Sequence, residues 1–264
     1  MNQISTQIVR LYSSLNRGEL PYYAILPADY ESSDEVCGVL YLLHGLFGRF
    51  DNWITNTNLI DYARNFPFII ICAEGRDSWY TDSTKIENHL FESYLTQELI
   101  PDVERRFKAR AERRSRAIGG LSMGGYGAFK LAFRNPEMFC LAASMSGAFH
   151  AAQIIEDPAF NEWHELQPSI LKVFGSNNPQ IRQSNDLFRL VNDFPYEKIN
   201  QLPYFYFDCG FDDSFLRINL SFAEMLRKKG IAHKFRQFAG GHDWNYWDKQ
   251  IRQILWVTQI HLSA

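Results

Sequence analysis

Short apolar segments alternate with amphipathic segments along most of the chain. Two of the apolar segments, 38–43 and 68–72, are continuous hydrophobic runs, which are typical of strands buried on both faces of a sheet. Two earlier segments, 8–15 and 22–26, alternate apolar and polar residues and predict antiparallel strands. Further strands are predicted at 116–118, 141–145, 203–208 and 232–238. The pattern predicts an α/β fold with helices on both faces of a mostly parallel sheet.

Helices are predicted between these strands, because apolar residues there recur with a period near 3.6. The clearest is 89–107, which keeps that period despite Pro101. Glu92 lies on it and is interpreted as a structural residue. Asn135 and Pro136 end another predicted helix. The whole set covers 52–65, 89–107, 123–134, 214–229 and 242 to about 261.

The stretch 147–202 breaks this alternation. It is rich in Asn, Pro, Asp and Phe, and it is long for a connection between elements. We interpret it as a cap or lid inserted into a single domain that spans 1–264. Since loops at the carboxyl ends of parallel strands build the sites of such folds, the insertion is expected to lie over the site. Its apolar side chains suit an acyl or aryl group, although most are expected to pack on the sheet: Phe149, Phe160, Trp163, Leu166 and Phe174.

The composition argues against several classes of function. The 264 residues carry 27 Lys and Arg against 30 Asp and Glu, which leaves no cationic excess for nucleic acid. The longest apolar run, 66–73, is far short of the roughly 20 residues that span a membrane. The first residues lack the features of a secretory signal, which predicts a cytoplasmic protein. The four cysteines have neither CxxC nor zinc-ligand spacing, so no metal and no cofactor are expected.

One sequence motif indicates a catalytic site. Residues 120–124 read Gly-Leu-Ser-Met-Gly, a match to G-x-S-x-G, and they lie between a predicted strand and a predicted helix. Such a turn requires small residues around the serine and lifts its hydroxyl above the sheet at a helix N-terminus, where developing negative charge is stabilised. Ser122 is therefore the candidate nucleophile. The alternative is a glycine-rich loop with a helix-capping serine.

A serine nucleophile needs a base, and the base needs an acid that orients it. His242 follows a predicted strand and precedes a helix, so it is expected at the same end of the sheet as Ser122. The chain order Ser, acid, His points to the loop after strand 203–208. Asp208, Asp212 and Asp213 compete there. Asp213 is preferred over Asp212, although topology by itself does not separate them, and Asp243 is interpreted as a first-turn carboxylate of the last helix.

An oxyanion hole completes the predicted site. One donor is the backbone N–H of the residue after the nucleophile, Met123, and the other comes from the loop after the strand 38–43. Gly45 lets that loop turn toward Ser122, so the N–H of Leu46 is the predicted second donor. His44 is interpreted as structural.

Together these residues resemble the putative esterase family of α/β hydrolases, which includes S-formylglutathione hydrolases, short-chain and feruloyl esterases, and mycolyltransferases. In that family the acid falls three residues after the glycine that follows Cys209, which implies Asp213. Leu121 stands where S-formylglutathione hydrolases have His, so the match is closest to intracellular short-acyl carboxylesterases. The resemblance rests on Trp53 and on the segments 42–45, 78–83, 92–95, 98–101, 120–128, 209–213 and 241–244.

The resemblance implies a serine esterase that forms an acyl-enzyme on a small ester or thioester. S-formylglutathione hydrolysis, other thioester cleavage and acyl transfer are alternatives on the same residues. A peptidase stays open, whereas a haloalkane hydrolase would have Asp where Ser122 stands. A non-catalytic binding protein is disfavoured, because a candidate for each triad position is present. The sequence is also compatible with a homo-oligomer.

Overall fold

The computed structural model describes residues 4–83, 85–153, 165–175 and 179–262. Within these ranges eight strands form one sheet in the order β1-β2-β4-β3-β5-β6-β7-β8. β1 pairs antiparallel with β2 and β2 with β4, and every other pairing is parallel. The α/β fold class predicted from the sequence is confirmed. The strands are Ser5–Ser13, Gly18–Leu26, Gly38–Leu43, Phe68–Ala73, Arg116–Leu121, Leu141–Met145, Tyr204–Gly210 and His233–Phe238.

The helices of the described ranges lie between the strands and after β8. Two short helices precede β4, and a helix with a π-helical segment, Tyr94–Leu99, follows it. In the described part of the segment between β6 and β7 there are three α-helices. In chain order α1–α10 are Asn52–Thr55, Leu59–Ala63, Phe91–Ser93, Ile100–Arg106, Met123–Arg134, Gln167–Phe174, Pro179–Asn185, Leu187–Asp193, Leu216–Lys229 and Trp244–Leu262, with 3₁₀ turns at Arg113–Ser115 and Tyr196–Gln201.

The predicted single helix over 52–65 is wrong, because the chain forms α1 and α2 with a break between them. Thr57 directs its hydroxyl to the carbonyl of Trp53 and accepts a hydrogen bond from the Leu59 N–H. The Asn58 N–H donates to Asp248 Oδ1 at 2.6 Å, across to α10. Side-chain acceptors thus replace helical carbonyls at this point.

The predicted helix 89–107 is present but is not uniform. The Ile100 N–H donates to the Leu95 carbonyl, five residues back, which defines the π-helical segment. Pro101 follows and has no N–H, and its ring crowds the carbonyl four residues earlier, so the wider turn accommodates it. The strand β5 is longer than predicted, since Gly119 and Gly120 continue the ladder with β3 and β6.

The core lies on both faces of the sheet. Alternate residues of β3 point to opposite sides, so that Tyr41 and Leu43 join one buried cluster while Leu40 and Leu42 join the other. Helix α5 covers the first face and α10 covers the second. All the parallel strands from β3 to β8 end at the same edge of the sheet, where the loops that follow them meet.

The segment between β6 and β7 contributes buried side chains to the first cluster. Phe149 stacks on Phe129 with ring centroids 4.9 Å apart, and Phe174 contacts Trp79 and Tyr126. These two rings therefore pack the segment on the sheet, as expected for most of its aromatic residues. Phe160 and Trp163 lie outside the described residues. In the part of the chain that the structure describes, no helix is both long and apolar enough to cross a membrane.

Candidate active site

Ser122 lies on a sharp turn between β5 and α5. Its backbone has φ 52° and ψ −116°, a conformation that residues other than glycine rarely adopt. A Cβ at Gly120 would lie 2.6 Å from the backbone of Gly124, and one at Gly124 would lie 2.5 Å from the Leu43 carbonyl oxygen. The turn therefore needs glycine on both sides of the serine. The Ser122 side chain does not cap the helix, which removes the alternative of a capping serine.

His242 connects Ser122 to Asp213. Its Nε2 lies 3.0 Å from Ser122 Oγ, and its Nδ1 lies 3.0 Å and 3.1 Å from the two carboxylate oxygens of Asp213. Because a carboxylate only accepts hydrogen bonds, Nδ1 carries the proton of the neutral ring. Nε2 is then free to accept the proton of the Ser122 hydroxyl. The structure thus brings together the three side chains that the sequence singled out.

Asp213 is buried, and its carboxylate is well supplied with donors. Burial by itself raises the pKa of this carboxyl, but the hydrogen bond and charge of His242, with hydrogen bonds from Ser146 and from the Phe215 N–H, lower it below its usual range. The group is therefore ionised at neutral pH and can stabilise a protonated His242.

The other three aspartates near the site have different surroundings. Asp212 is exposed to solvent. Asp208 accepts a hydrogen bond from the Tyr246 hydroxyl at 2.7 Å. Asp243 precedes α10 and accepts a hydrogen bond from the Tyr246 N–H at 3.0 Å, so it caps the helix and does not lie in its first turn as predicted. Of the four, Asp213 is the one that contacts His242.

The two predicted oxyanion donors belong to residues near Ser122: Met123 follows it in the chain, and Leu46 lines the same cavity. A Cβ at Gly45 would lie 3.5 Å from Ser122 Cβ, which shows how near the Leu46 loop approaches. Met123 is the first residue of α5, so its N–H has no helical acceptor. Neither N–H donates a hydrogen bond to any residue that the structure describes. Their role as oxyanion donors stays a prediction.

A cavity of 340 Å³ opens beside Ser122 and His242. Its walls are mostly apolar, and Asn52 and Glu165 add polar groups. Glu165 and Leu166 come from the segment between β6 and β7. Asp213 lies behind His242 and does not line the cavity. The other lining residues are Gly45, Leu46, Phe47, Gly48, Leu121, Trp244 and Trp247.

Sequence reasoning missed Ser146. It follows β6 with φ 51°, and its buried hydroxyl accepts a hydrogen bond from the Trp247 indole at 3.1 Å while it helps to hold Asp213. No motif marks this serine, because its importance arises from the pairing of β6 beside β7. Among the described residues no group of three or more His, Cys, Asp or Glu side chains is arranged to hold a metal ion.

Comparisons with known proteins agree on the family. The model of the family described as putative esterase matches residues 13–184. An acetyl esterase from Caldicellulosiruptor saccharolyticus is 27% identical over 261 residues, which cover 96% of this chain and 97% of that protein.

Solved structures share the fold. FphF, a fluorophosphonate-binding serine hydrolase from Staphylococcus aureus, superposes with a TM-score of 0.85 at 23% identity and covers 97% of this chain and 98% of its own. A ferulic acid esterase superposes with a TM-score of 0.82 at 24% identity, over 99% and 100% of the two chains. The chain belongs to the putative esterase family and is a carboxylic ester hydrolase with the α/β-hydrolase fold.

Proposed function

We propose that this esterase cleaves short-acyl carboxylic esters through a triad of Ser122, His242 and Asp213 and a covalent acyl-enzyme. The observation that carries the proposal is the unbroken hydrogen-bond chain from the serine hydroxyl through the imidazole to the carboxylate, with contacts of 3.0 Å on each side of the ring. A nucleophile, its base and the group that orients the base must meet in this way.

The proposed reaction has two halves. Ser122 Oγ attacks the acyl carbonyl while His242 Nε2 takes the hydroxyl proton, and the charge on the carbonyl oxygen is held by the N–H groups of Leu46 and Met123. When the intermediate collapses, His242 returns the proton to the leaving alcohol and an acyl-serine remains. Water repeats the sequence and releases the acid. Each oxyanion donor lowers the barrier by about 3–4 kcal/mol.

The proposed preference for short acyl groups rests on the size of the site. At 340 Å³ the cavity is near the lower end of the range of about 300–1,000 Å³ that is usual for small-molecule sites. Its apolar wall suits a small acyl group, and the acetyl esterase from C. saccharolyticus is a relative over nearly the full chain.

The insertion 147–202 is proposed to act as a cap of this site within one domain spanning 1–264. Glu165 and Leu166 support this role, since both line the cavity beside Ser122. Thioester hydrolysis differs only in the leaving group, and acyl transfer differs only in the acceptor that reaches the acyl-enzyme. We propose a small-molecule substrate and a cytoplasmic location, with no nucleic-acid partner.

The test is hydrolysis of p-nitrophenyl esters from acetate to laurate, and of S-formylglutathione, by the wild-type enzyme and by Ser122→Ala. We expect turnover to peak at a short acyl chain and to fall by about 10⁴-fold or more in the variant, because the nucleophile is lost. Ser221→Ala, which changes an exposed serine of α9, is the matched control and should retain wild-type rates.

The outcomes separate the candidates. Full activity of Ser122→Ala would exclude the proposed nucleophile. A maximum at long chains would exclude the short-acyl preference. A strong preference for S-formylglutathione would favour the thioesterase. A folded wild-type enzyme that turns over none of these substrates would favour acyl transfer to an acceptor other than water.

A further inference from the structure

The peptide between Gly45 and Leu46 carries the proposed oxyanion donor of the Leu46 loop, so this inference rests on the proposed function. A trans peptide is planar, and its C=O and N–H point in opposite directions. No cis peptide is present in the described residues. Whatever holds the Gly45 carbonyl therefore also sets the direction of the Leu46 N–H.

His44 holds that carbonyl. Its ring is fully buried, and Nδ1 lies 2.7 Å from the Gly45 oxygen. Because a carbonyl oxygen only accepts, Nδ1 must carry a proton. At the other side of the ring the Gly75 N–H points at Nε2 at 2.9 Å, so Nε2 accepts and carries none. The two backbone groups select one neutral tautomer of His44.

The Glu74 carboxylate is also near this ring, 3.3 Å from Nε2. It accepts hydrogen bonds from the N–H groups of Arg76 at 2.7 Å and Phe50 at 3.3 Å. Since Nε2 is already an acceptor for Gly75, the contact between Glu74 and His44 is one of proximity rather than an ion pair.

The groups around His44 leave the Gly45 carbonyl little freedom to move. The Gly48 N–H donates to the same Gly45 oxygen at 3.1 Å, and the Tyr80 hydroxyl donates to the His44 carbonyl at 3.0 Å. A Cβ at Gly48 would lie 2.8 Å from both the Gly45 oxygen and His44 Nδ1. Two donors thus converge on one carbonyl in a space that excludes even a methyl group.

We propose that His44 is a positioning residue that aims the Leu46 N–H at the oxyanion by holding the Gly45 carbonyl on the opposite side of the peptide. Without the Nδ1 proton the carbonyl keeps a single donor, and the peptide plane can rotate. The Leu46 N–H then stabilises the oxyanion of the transition state less well. The bound substrate carries no such charge, so its binding is little affected.

Two variants separate this role from simple packing. In His44→Asn the side-chain amide can place an N–H near the position of Nδ1. In His44→Gln the amide reaches the position of Nε2 and the donor to Gly45 is lost. We expect kcat with p-nitrophenyl acetate to fall at least tenfold in His44→Gln at unchanged KM, since a whole donor is worth about 10²–10³-fold. His44→Asn should retain kcat within about threefold of the wild type, because its amide keeps a donor on the Gly45 carbonyl. A threefold loss of rate corresponds to an increase in the activation free energy smaller than RT ln 10.

A transition-state analogue gives the second readout. 1,1,1-Trifluoro-2-hexanone forms an adduct with the serine whose oxyanion occupies the hole, whereas 1,1,1-trifluoro-2-hexanol forms none. The inhibition constant of the ketone should rise in His44→Gln in parallel with the loss of kcat/KM, and that of the alcohol should not change. Gly48→Ala, whose Cβ would lie 2.8 Å from both the Gly45 oxygen and His44 Nδ1 and so would disturb this hydrogen bond, should give the same pattern and serves if His44→Gln does not fold.

Equal losses in His44→Asn and His44→Gln, wild-type kcat in both, or equal weakening of the ketone and the alcohol would overturn the positioning role. Each of these results leaves the proposed triad intact as long as Ser122→Ala is inactive. An active Ser122→Ala enzyme would overturn the triad, and the inference with it.

Discussion

Two adjacent aspartates show how burial determines which contacts a side chain makes. Asp212 and Asp213 share one loop after β7 and are chemically identical. Asp213 is turned inward, where it contacts His242 Nδ1 through both oxygens, and Asp212 is exposed. Topology predicted that an acid of this loop would meet His242, and the resemblance to the family pointed to Asp213. Its catalytic role is still a prediction.

Asp213→Asn should lower kcat by about 10⁴-fold with the site geometry retained. The amide can donate to Nδ1, which leaves the proton on Nε2 and removes the acceptor for the Ser122 hydroxyl. Asp212→Asn, one residue away, should behave as the wild type. The comparison is made by steady-state kinetics on p-nitrophenyl acetate with matched circular dichroism spectra. Similar losses in both variants, or none in either, would contradict the assignment of the acid.

At the scale of elements, α5 organises the site. Its first turn carries the N–H of Met123, and its last turns carry Lys130 and Arg134, both within ion-pair distance of Glu92. Lys130 is fully buried and also donates to the carbonyl of Tyr80. Burial lowers the pKa of Lys130 to about 8, against the attraction of Glu92. Glu92 is thus a structural residue, as its sequence position predicted.

We expect Lys130→Met to lower the free energy of unfolding by about 3 kcal/mol, because it leaves the Glu92 carboxylate buried with one partner fewer. The double variant with Glu92→Gln should lose less than the sum of the two single variants. Urea unfolding measures the cycle. Glu224→Gln, which changes an exposed ion pair with Arg227, is the control and should leave the free energy of unfolding nearly unchanged. Additive losses at Lys130 and Glu92 would show that the pair is not coupled.

Most elements followed from local pattern, and the exceptions have identifiable causes. β3, α5 and β6 have the predicted bounds, because continuous apolar runs and the 3.6 period are properties of neighbouring residues. The break between α1 and α2 depends on Asp248, which is 190 residues from Asn58. Periodicity over 52–65 holds no information about that contact.

At the scale of the whole molecule, one buried carboxyl among the described residues resists ionisation. Asp208 lies within β7 and is fully buried; one carboxylate oxygen accepts a hydrogen bond from the Tyr246 hydroxyl, and the other has no hydrogen-bond partner among the described residues. Burial raises its pKa to about 8; the Tyr246 hydroxyl and Arg236 oppose the rise, and Asp213 adds to it. In the unfolded chain the same carboxyl titrates near its ordinary value of about 3.9.

This difference predicts how global stability varies with pH. Between about pH 4 and 8 the folded state binds the Asp208 proton and the unfolded state does not, so this contribution to stability is present at low pH and is lost as the pH rises through that window. Asp208→Asn cannot ionise and avoids the loss. We therefore expect the Tm of the variant, relative to the wild type, to increase from pH 5 to pH 8 by calorimetry. A constant difference in Tm across that range would mean that Asp208 is already ionised at pH 5.

The sequence by itself determined the fold class, most of the element bounds, the candidates Ser122 and His242, and the loop that holds the acid. It could do so because strand and helix periods, glycine sterics and chain order are read from neighbouring residues. The tertiary structure decided which aspartate faces the histidine, that Ser146 supports it, and how His44 holds the Gly45 carbonyl. These contacts join residues far apart in the chain, and the hydrogen-bond partners of a side chain depend on which strands lie side by side and which groups they exclude from water.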